Sequence, residues 1–177
     1  MSALKPVTKL LIVLMLPVIA ACTPSYELDS DIVNQAQVVN LATPEQKVLA
    51  SGQPTEDQFR LLAEAGVRHV INLRPASEQD WDEGAFVQSL NMEYHSIPVA
   101  GAAGVTRENA ASLYQLLADL EGEPVVVHCA SGNRVGALIA YSSVEFDGLG
   151  IDAAIAEGQR WGLTRMEPTV REILSQN

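Results

Sequence analysis

The sequence contains few cysteines, few aromatic residues and few basic residues. Its 177 residues include two cysteines, 5% aromatic residues, and 11 Lys and Arg against 22 Asp and Glu, which gives a net charge of −11. A negative charge of this size excludes a general nucleic-acid-binding surface, because such a surface needs a basic field. Two cysteines also exclude a disulfide-rich scaffold. Any anionic ligand must therefore be held by local donors that work against the charge of the whole protein.

The sequence has no hydrophobic run of transmembrane length. The longest run, residues 10–21, has 12 residues, whereas a membrane-spanning helix needs roughly 20. It follows Lys5 and Lys9 and precedes Cys22, which is the order of a secretory signal peptide. Small residues before a cysteine at this point resemble the lipobox of bacterial lipoproteins. This resemblance implies cleavage before Cys22 and lipidation of it; an ordinary cleaved signal and an uncleaved anchor are the alternatives.

We therefore expect an exported protein held by lipid at a membrane, on the periplasmic face of the bacterial outer membrane. Residues 1–21 are predicted to be the lipoprotein signal peptide, residues 22–36 a polar tether, and residues 37–177 a single domain. With Cys22 acylated, Cys129 is the only free thiol of the mature chain. Catalysis is one reason for a lone thiol in an exported protein.

Strand and helix patterns alternate along the predicted domain. The strand patterns are residues 37–40, 48–51, 67–73, 94–98 and 124–128, and helical patterns begin after Thr55, near Asp82, after Thr106 and at Arg134. This alternation predicts the α/β class, a three-layer fold with a mostly parallel central sheet of four to five strands flanked by helices. The loops 74–83, 99–106 and 129–134 are expected to meet at the carboxyl edge of the sheet, where such folds bind ligands.

The clearest chemistry lies in the stretch VVVHCASGNRVG, residues 125–136. An apolar strand ends at Cys129, turns at Gly132 and enters a helix at Arg134. Amide groups in such a turn point inwards at the positive end of a helix dipole and bind anions. They are therefore expected to hold Cys129 as a nucleophilic thiolate. The planar guanidinium of Arg134 can bind two oxygens of a tetrahedral anion.

Cys129 and Arg134 are accordingly the predicted catalytic residues. Predicted substrate-binding residues are Ala130, Ser131, Gly132, Asn133 and Arg74. Arg74 follows a strand and either binds the anion or pairs with Glu78, and the sequence leaves both interpretations open.

This loop resembles the His-Cys-x5-Arg signature of cysteine-dependent protein tyrosine and dual-specificity phosphatases. Residues 51–54 (SGQP), 71–74 (INLR) and 94–98 (YHSIP) resemble the bacterial tyrosine-phosphatase-like family, which includes a domain attached to some β-lactamase-fold hydrolases. The resemblance covers residues 46–146. It implies hydrolysis of phosphate monoesters, with phosphotyrosine or phosphoprotein among the substrates, through a phosphocysteine at Cys129. We expect no cofactor and no nucleic-acid partner.

The sequence departs from the signature at two points. Only four residues separate Cys129 from Arg134, a spacing that rhodanese-type sulfurtransferases also carry, so a sulfurtransferase with a Cys129 persulfide is an alternative. The phosphatases also place an aspartate general acid before the signature, and no Asp lies between residues 91 and 119. The candidates to replace it are Glu78, Asp80 and Asp82. If no acid serves, the remaining alternative is a non-catalytic phosphate-binding module.

The three histidines have separate predicted roles. His128 is expected to organise the loop through hydrogen bonds. His69 and His95 lie on different predicted strands without the spacing of metal ligands, so we predict no metal site.

Overall fold

A five-stranded sheet forms the centre of the computed structural model, which describes residues 27–176. In chain order the elements are α1 (Ser30–Ala36), β1 (Ala42–Glu45), β2 (Val48–Ser51), α2 (Glu56–Glu64), β3 (His69–Asn72), α3 (Glu83–Ser89), β4 (Glu93–Ser96), α4 (Arg107–Asp119), β5 (Val125–His128), α5 (Asn133–Glu145), α6 (Ile151–Arg160) and α7 (Glu167–Gln176). Two short 3₁₀ turns lie at Ala76–Glu78 and Gly101–Gly104.

The strand order is β1-β2-β5-β3-β4. β1 runs antiparallel to β2, and the other neighbours are parallel. The register aligns Ser51, His128 and Asn72, so β2, β5 and β3 end side by side at one edge of the sheet. The predicted α/β fold with a mostly parallel sheet is confirmed.

Helices cover both faces of the sheet and give the fold three layers. The apolar core on one face is built with α4 to α7, and the core on the other with α1 to α3. β5 lies in the middle of the sheet and is buried along its whole length, as its continuous apolar run predicts.

The close crossing of α5 and α6 fixes the direction of α5. A Cβ added at Gly136 would collide with the carbonyl oxygen of Gly158 and the backbone nitrogen of Leu163. The backbones of α5 and α6 therefore contact each other directly, at Gly136 of α5 and Gly158 of α6. Because Arg134 lies in the first turn of α5, this crossing also positions its side chain.

Two boundary predictions are wrong. Residues 30–36 were expected to belong to a tether, but they form α1, and Val33 and Ala36 are buried against the domain. Residues 37–40 were expected to be a strand, but Gln37 takes a left-handed conformation that ends α1. The strand that precedes β2 is β1, which begins at Ala42, two residues after the predicted segment ends. The helix beginning at Thr55 is confirmed, since Thr55 and Gln58 form a reciprocal capping box.

The predicted signal peptide and Cys22 lie outside the described residues. Within residues 27–176, no helix combines the length and apolar character needed to cross a membrane.

Candidate active site

Cys129 lies between the end of β5 and the start of α5, beneath the first turn of that helix. Its residue surface is 1% exposed, and its Sγ accepts a hydrogen bond from the backbone N–H of Gly132 at 3.1 Å. Gly132 has a φ of 82°, in the left-handed region that glycine adopts without strain. The sulfur is thus buried beside one of the loop amides from which the sequence predicts an anion-binding turn, at the positive end of a helix.

Residues 51–54 hold the outer side of this loop. Gly52 and Ser131 form an antiparallel bridge, and the backbone N–H of Gln53 donates to the carbonyl of Ala130 at 3.3 Å. The side chain of Asn40 donates to the carbonyl of Ser131 at 3.2 Å. The loop shape therefore depends on a segment almost 80 residues earlier in the chain.

The guanidinium of Arg134 is directed into the site, and the side chain is 9% exposed. Its Nη1 donates to the carbonyl of Val99 at 2.8 Å and to Oε1 of Glu78 at 3.0 Å, while Nη2 donates to Oε2 of Glu78 at 2.7 Å. Burial alone would lower the pKa of Arg134, but its hydrogen bonds to Glu78 and its electrostatic interactions with Cys129 and Glu78 raise that pKa overall. Arg134 therefore remains a cation facing the sulfur.

The carboxylate of Glu78 accepts hydrogen bonds from both terminal nitrogens of the Arg134 guanidinium. Its side chain is 37% exposed, and the hydrogen bonds from Arg134 lower the pKa of its carboxyl below the usual range. A carboxylate held at two points by a guanidinium occupies the place that two oxygens of a phosphate would take. Among the predicted general acids, Glu78 is the one that the structure brings to Arg134.

Arg74 pairs with the 3₁₀ turn that carries Glu78. Its guanidinium donates to the side-chain oxygen of Gln53 and to the backbone carbonyl of Glu78, and its Nε lies 3.8 Å from Oε2 of Glu78. Of the two interpretations that the sequence left open, the structure contains the pairing with Glu78. The buried Nε has no hydrogen-bond acceptor among the described residues, so Arg74 retains one donor beside the Glu78 carboxylate.

A buried carboxylate beneath the site was missed by the sequence analysis. Glu83 is 0% exposed. Its Oε1 accepts hydrogen bonds from Asn72 at 2.7 Å and from His128 Nε2 at 3.0 Å, and its Oε2 accepts one from Gln53 at 2.5 Å. Burial alone would raise the pKa of Glu83, but its hydrogen bonds with His128 and Gln53 lower it overall.

This network joins the ends of β2, β3 and β5, and it agrees with the organising role predicted for His128. The sequence offered no signal for Glu83, because an acidic residue in the first turn of a helix is explained by the helix dipole alone.

Three other predicted site residues have different surroundings. Asp82 caps α3 by accepting a hydrogen bond from the N–H of Ala85 at 2.9 Å, and Asp80 is exposed. The Oδ1 of Asn133 accepts hydrogen bonds from the backbone of Thr164 and Met166, at 3.0 and 3.1 Å. The side chain of Asn133 therefore supports the turn between α6 and α7, and substrate binding by the backbone amides of residues 130–133 stays a prediction.

The prediction that His69 and His95 lack the spacing of metal ligands is wrong. His69 and His95 do lie on different strands, β3 and β4, but these strands are neighbours. The Nδ1 of His69 lies 3.4 Å from the Nε2 of His95.

Comparison with known proteins agrees with this geometry. Residues 36–147 match the family model described as PTP-SAK, Swiss Army Knife protein, DSP-PTPase phosphatase domain. A beta-lactamase hydrolase-like protein of Xylella fastidiosa (strain Temecula1) is 35% identical over 104 residues, which are 56% of this chain and 24% of that protein. The chain thus spans about a quarter of the length of that relative.

Solved structures show the same fold. A DUF442 candidate phosphatase of Shewanella putrefaciens CN-32 is 27% identical, with a TM-score of 0.62 over 82% of this chain and 97% of that one. The core catalytic domain of the PP-IP phosphatase SIW14 of S. cerevisiae is 14% identical, with a TM-score of 0.62 over 78% and 85%. Because the family model matches more than half of the sequence, the chain belongs to the Swiss Army Knife DSP-PTPase phosphatase domain family.

Proposed function

We propose that this phosphatase domain hydrolyses phosphate monoesters through a phosphocysteine formed on Cys129. The observation that carries the proposal is the position of Sγ, beneath the Gly132 amide and facing the guanidinium of Arg134. A thiolate held in this way is nucleophilic. The guanidinium beside it stabilises the negative charge of the transferring phosphoryl group.

In the first step the thiolate of Cys129 attacks phosphorus, and the bond from phosphorus to the ester oxygen breaks. The electron pair of that bond leaves with the ester oxygen, which takes a proton from a general acid. In the second step water attacks the phosphocysteine, the sulfur–phosphorus bond breaks, and its electron pair returns to sulfur. The deprotonated acid takes the proton of the attacking water, so the enzyme returns to its starting state.

We assign the general acid to Glu78. Its carboxylate is already beside Arg134, and an arriving phosphate competes for the same guanidinium. Displacing Glu78 removes the hydrogen bonds that lower the pKa of its carboxyl, and the charge of the bound phosphate then favours the protonated form. The displaced carboxyl takes up a proton from solvent and donates it to the leaving oxygen, and the proton it later regains from water returns to solvent when Glu78 pairs with Arg134 again.

The experiment compares hydrolysis of an aryl phosphate by the full chain and by two variants. Cys129→Ser is expected to lower kcat about 10³-fold or more, and Arg134→Lys to lower kcat/KM by removing the two-point contact. The matched controls are Cys22→Ser, which removes the other cysteine, and Arg160→Lys, which changes an exposed arginine. Normal turnover by Cys129→Ser would overturn the proposal.

The four-residue spacing between Cys129 and Arg134 favours a second candidate, a sulfurtransferase. In that reaction the Cys129 thiolate takes the outer sulfur of thiosulfate and releases sulfite. The mass of the full chain after treatment with thiosulfate, measured by mass spectrometry, distinguishes the sulfurtransferase from the phosphatase. An added sulfur atom, absent from Cys129→Ser, would favour the transferase, whereas an unchanged mass would exclude it.

A further inference from the structure

A second group of ligating side chains lies on β3 and the edge strand β4, apart from the loop that carries Cys129. The parallel register of β3 and β4 places His69 opposite Glu93, and His95 two residues further along on the same face. The Nδ1 of His69 lies 3.4 Å from the Nε2 of His95 and 3.6 Å from Oε2 of Glu93. One ligand atom from each of these three residues lies within 4.8 Å of the others.

We propose that His69, Glu93 and His95 form a site for a divalent transition metal, with Zn²⁺ as its ion. Zinc binds imidazole nitrogen and carboxylate oxygen at about 2.0–2.2 Å, which in a tetrahedron sets neighbouring ligand atoms about 3.4 Å apart. The separations of 3.4 and 3.6 Å from Nδ1 of His69 match this value. Two imidazoles and one carboxylate also form a donor set that suits zinc.

A single hydrogen bond cannot join all three ligand atoms. The Nδ1 of His69 carries at most one proton when the ring is neutral, yet both the Nε2 of His95 and the Oε2 of Glu93 lie near it. If Nδ1 carries the proton, it donates to only one of them, and if Nε2 of His95 donates to Nδ1, no proton of Nδ1 is left for Glu93. A cation placed between the three atoms attracts all of them at once.

A cavity lined by two of the three ligands, His69 and Glu93, provides access and room for a fourth ligand. It has a volume of about 390 Å³ and is lined by Arg68, His69, Asn91, Glu93, Leu120 and Glu123. Besides the ligand Glu93, its lining holds a second carboxylate, Glu123, which offsets the charge of Arg68. Because the protein supplies three ligands, we expect water from this cavity to fill the remaining position.

The site would act on the fold and not on the reaction at Cys129. β4 lies at the edge of the sheet and is joined to it through β3. Since His69 belongs to β3 and the other two ligands to β4, a bound ion joins the edge strand to its neighbour. A ligand that binds only the folded state raises the melting temperature with its concentration.

The first experiment uses the full chain without a histidine tag, treated with EDTA and then titrated with Zn²⁺. Both cysteines are replaced by serine, so that no thiolate contributes. Calorimetry is expected to give one Zn²⁺ per chain, and Co²⁺ is expected to give the strong visible absorption of a four-coordinate ion. An absence of saturable binding, or a six-coordinate Co²⁺ spectrum, would overturn the proposal.

The second experiment needs no change to the ligands. The chain contains three histidines, so its imidazole NMR signals are few. Zn²⁺ is expected to shift the signals of His69 and His95 and to leave those of buried His128 in place. Unshifted signals of His69 and His95 would refute the site.

Variants add a third measurement. His95→Gln and Glu93→Gln are expected to weaken Zn²⁺ binding at least 10-fold and to remove the rise in melting temperature. Glu172→Gln, which changes an exposed carboxylate on α7, is the matched control. Equal loss of binding in Glu172→Gln, or no loss in either ligand variant, would show that the ion binds elsewhere.

Discussion

Arg134 and Glu78 form a two-point ion pair, with N···O distances of 3.0 and 2.7 Å, at the residue proposed to bind phosphate. In the proposed mechanism the carboxylate and the substrate compete for one guanidinium. In that mechanism Glu78 has two opposite effects, since it hinders anion binding and, once displaced, supplies the proton for the leaving group.

Glu78→Gln is expected to separate these effects. The neutral amide competes less strongly for Arg134, so the Kd of vanadate falls several-fold. Loss of the acid lowers kcat for phenyl phosphate by about 10²-fold or more, and lowers kcat for p-nitrophenyl phosphate much less, because that leaving group needs little protonation. Steady-state kinetics with both esters measures the difference. A selective loss with phenyl phosphate in Asp80→Asn, and none in Glu78→Gln, would move the acid role to Asp80.

Glu83 is expected to make the protein sensitive to acid. Burial would raise its pKa, but hydrogen bonds with His128 and Gln53 hold it below the ordinary value of 4.5. A carboxyl with a lowered pKa in the folded state stabilises the protein above its unfolded pKa, and this stabilisation is lost as the pH falls below about 4.5. Glu83→Gln is expected to cost about 1–3 kcal/mol at pH 7.

Denaturant unfolding at pH 7 and pH 4 measures this effect. Glu83→Gln should lose less stability between the two pH values than the parent chain loses. The exposed Glu64→Gln is the control and should keep the parental pH dependence. An equal loss in the parent and in Glu83→Gln would contradict the assignment.

Gly136→Ala is expected to lower the free energy of unfolding by about 1–3 kcal/mol or more. The added Cβ would collide with the backbone of Gly158 and Leu163, which cannot rotate away. Gly150→Ala is the matched control, because a Cβ there meets nothing within 4 Å and the change at the N-cap of α6 costs about 1 kcal/mol or less. Similar melting temperatures for the two variants would show that α5 and α6 separate easily.

Lipidation at Cys22 is a separate prediction, based on the sequence that precedes it. Cells given radiolabelled palmitate are expected to label the full chain and Cys129→Ala but not Cys22→Ala, and fractionation should place the labelled protein in the outer membrane. Labelling of Cys22→Ala would contradict the predicted anchor.

The sequence predicted the features that depend on neighbouring residues. Cys129 and Arg134 belong to one strand–turn–helix segment, so their chemistry could be inferred from the order of residue types. The pairing of Glu78 with Arg134 was not predicted, because it joins a 3₁₀ turn to the first turn of α5, 56 residues further along the chain. The meeting of His69 with His95 depends on the register of β3 against β4, which neither strand pattern contains. α1 was missed because its exposed face is polar and only Val33 and Ala36 are buried in it.

The bridge between Gly52 and Ser131 has a consequence for refolding. The loop that carries Cys129 reaches its final shape only after β2 has docked beside β5, a pairing of segments almost 80 residues apart in the chain. Under the proposed mechanism, recovery of turnover after dilution from denaturant should therefore be no faster than the pairing of these two strands.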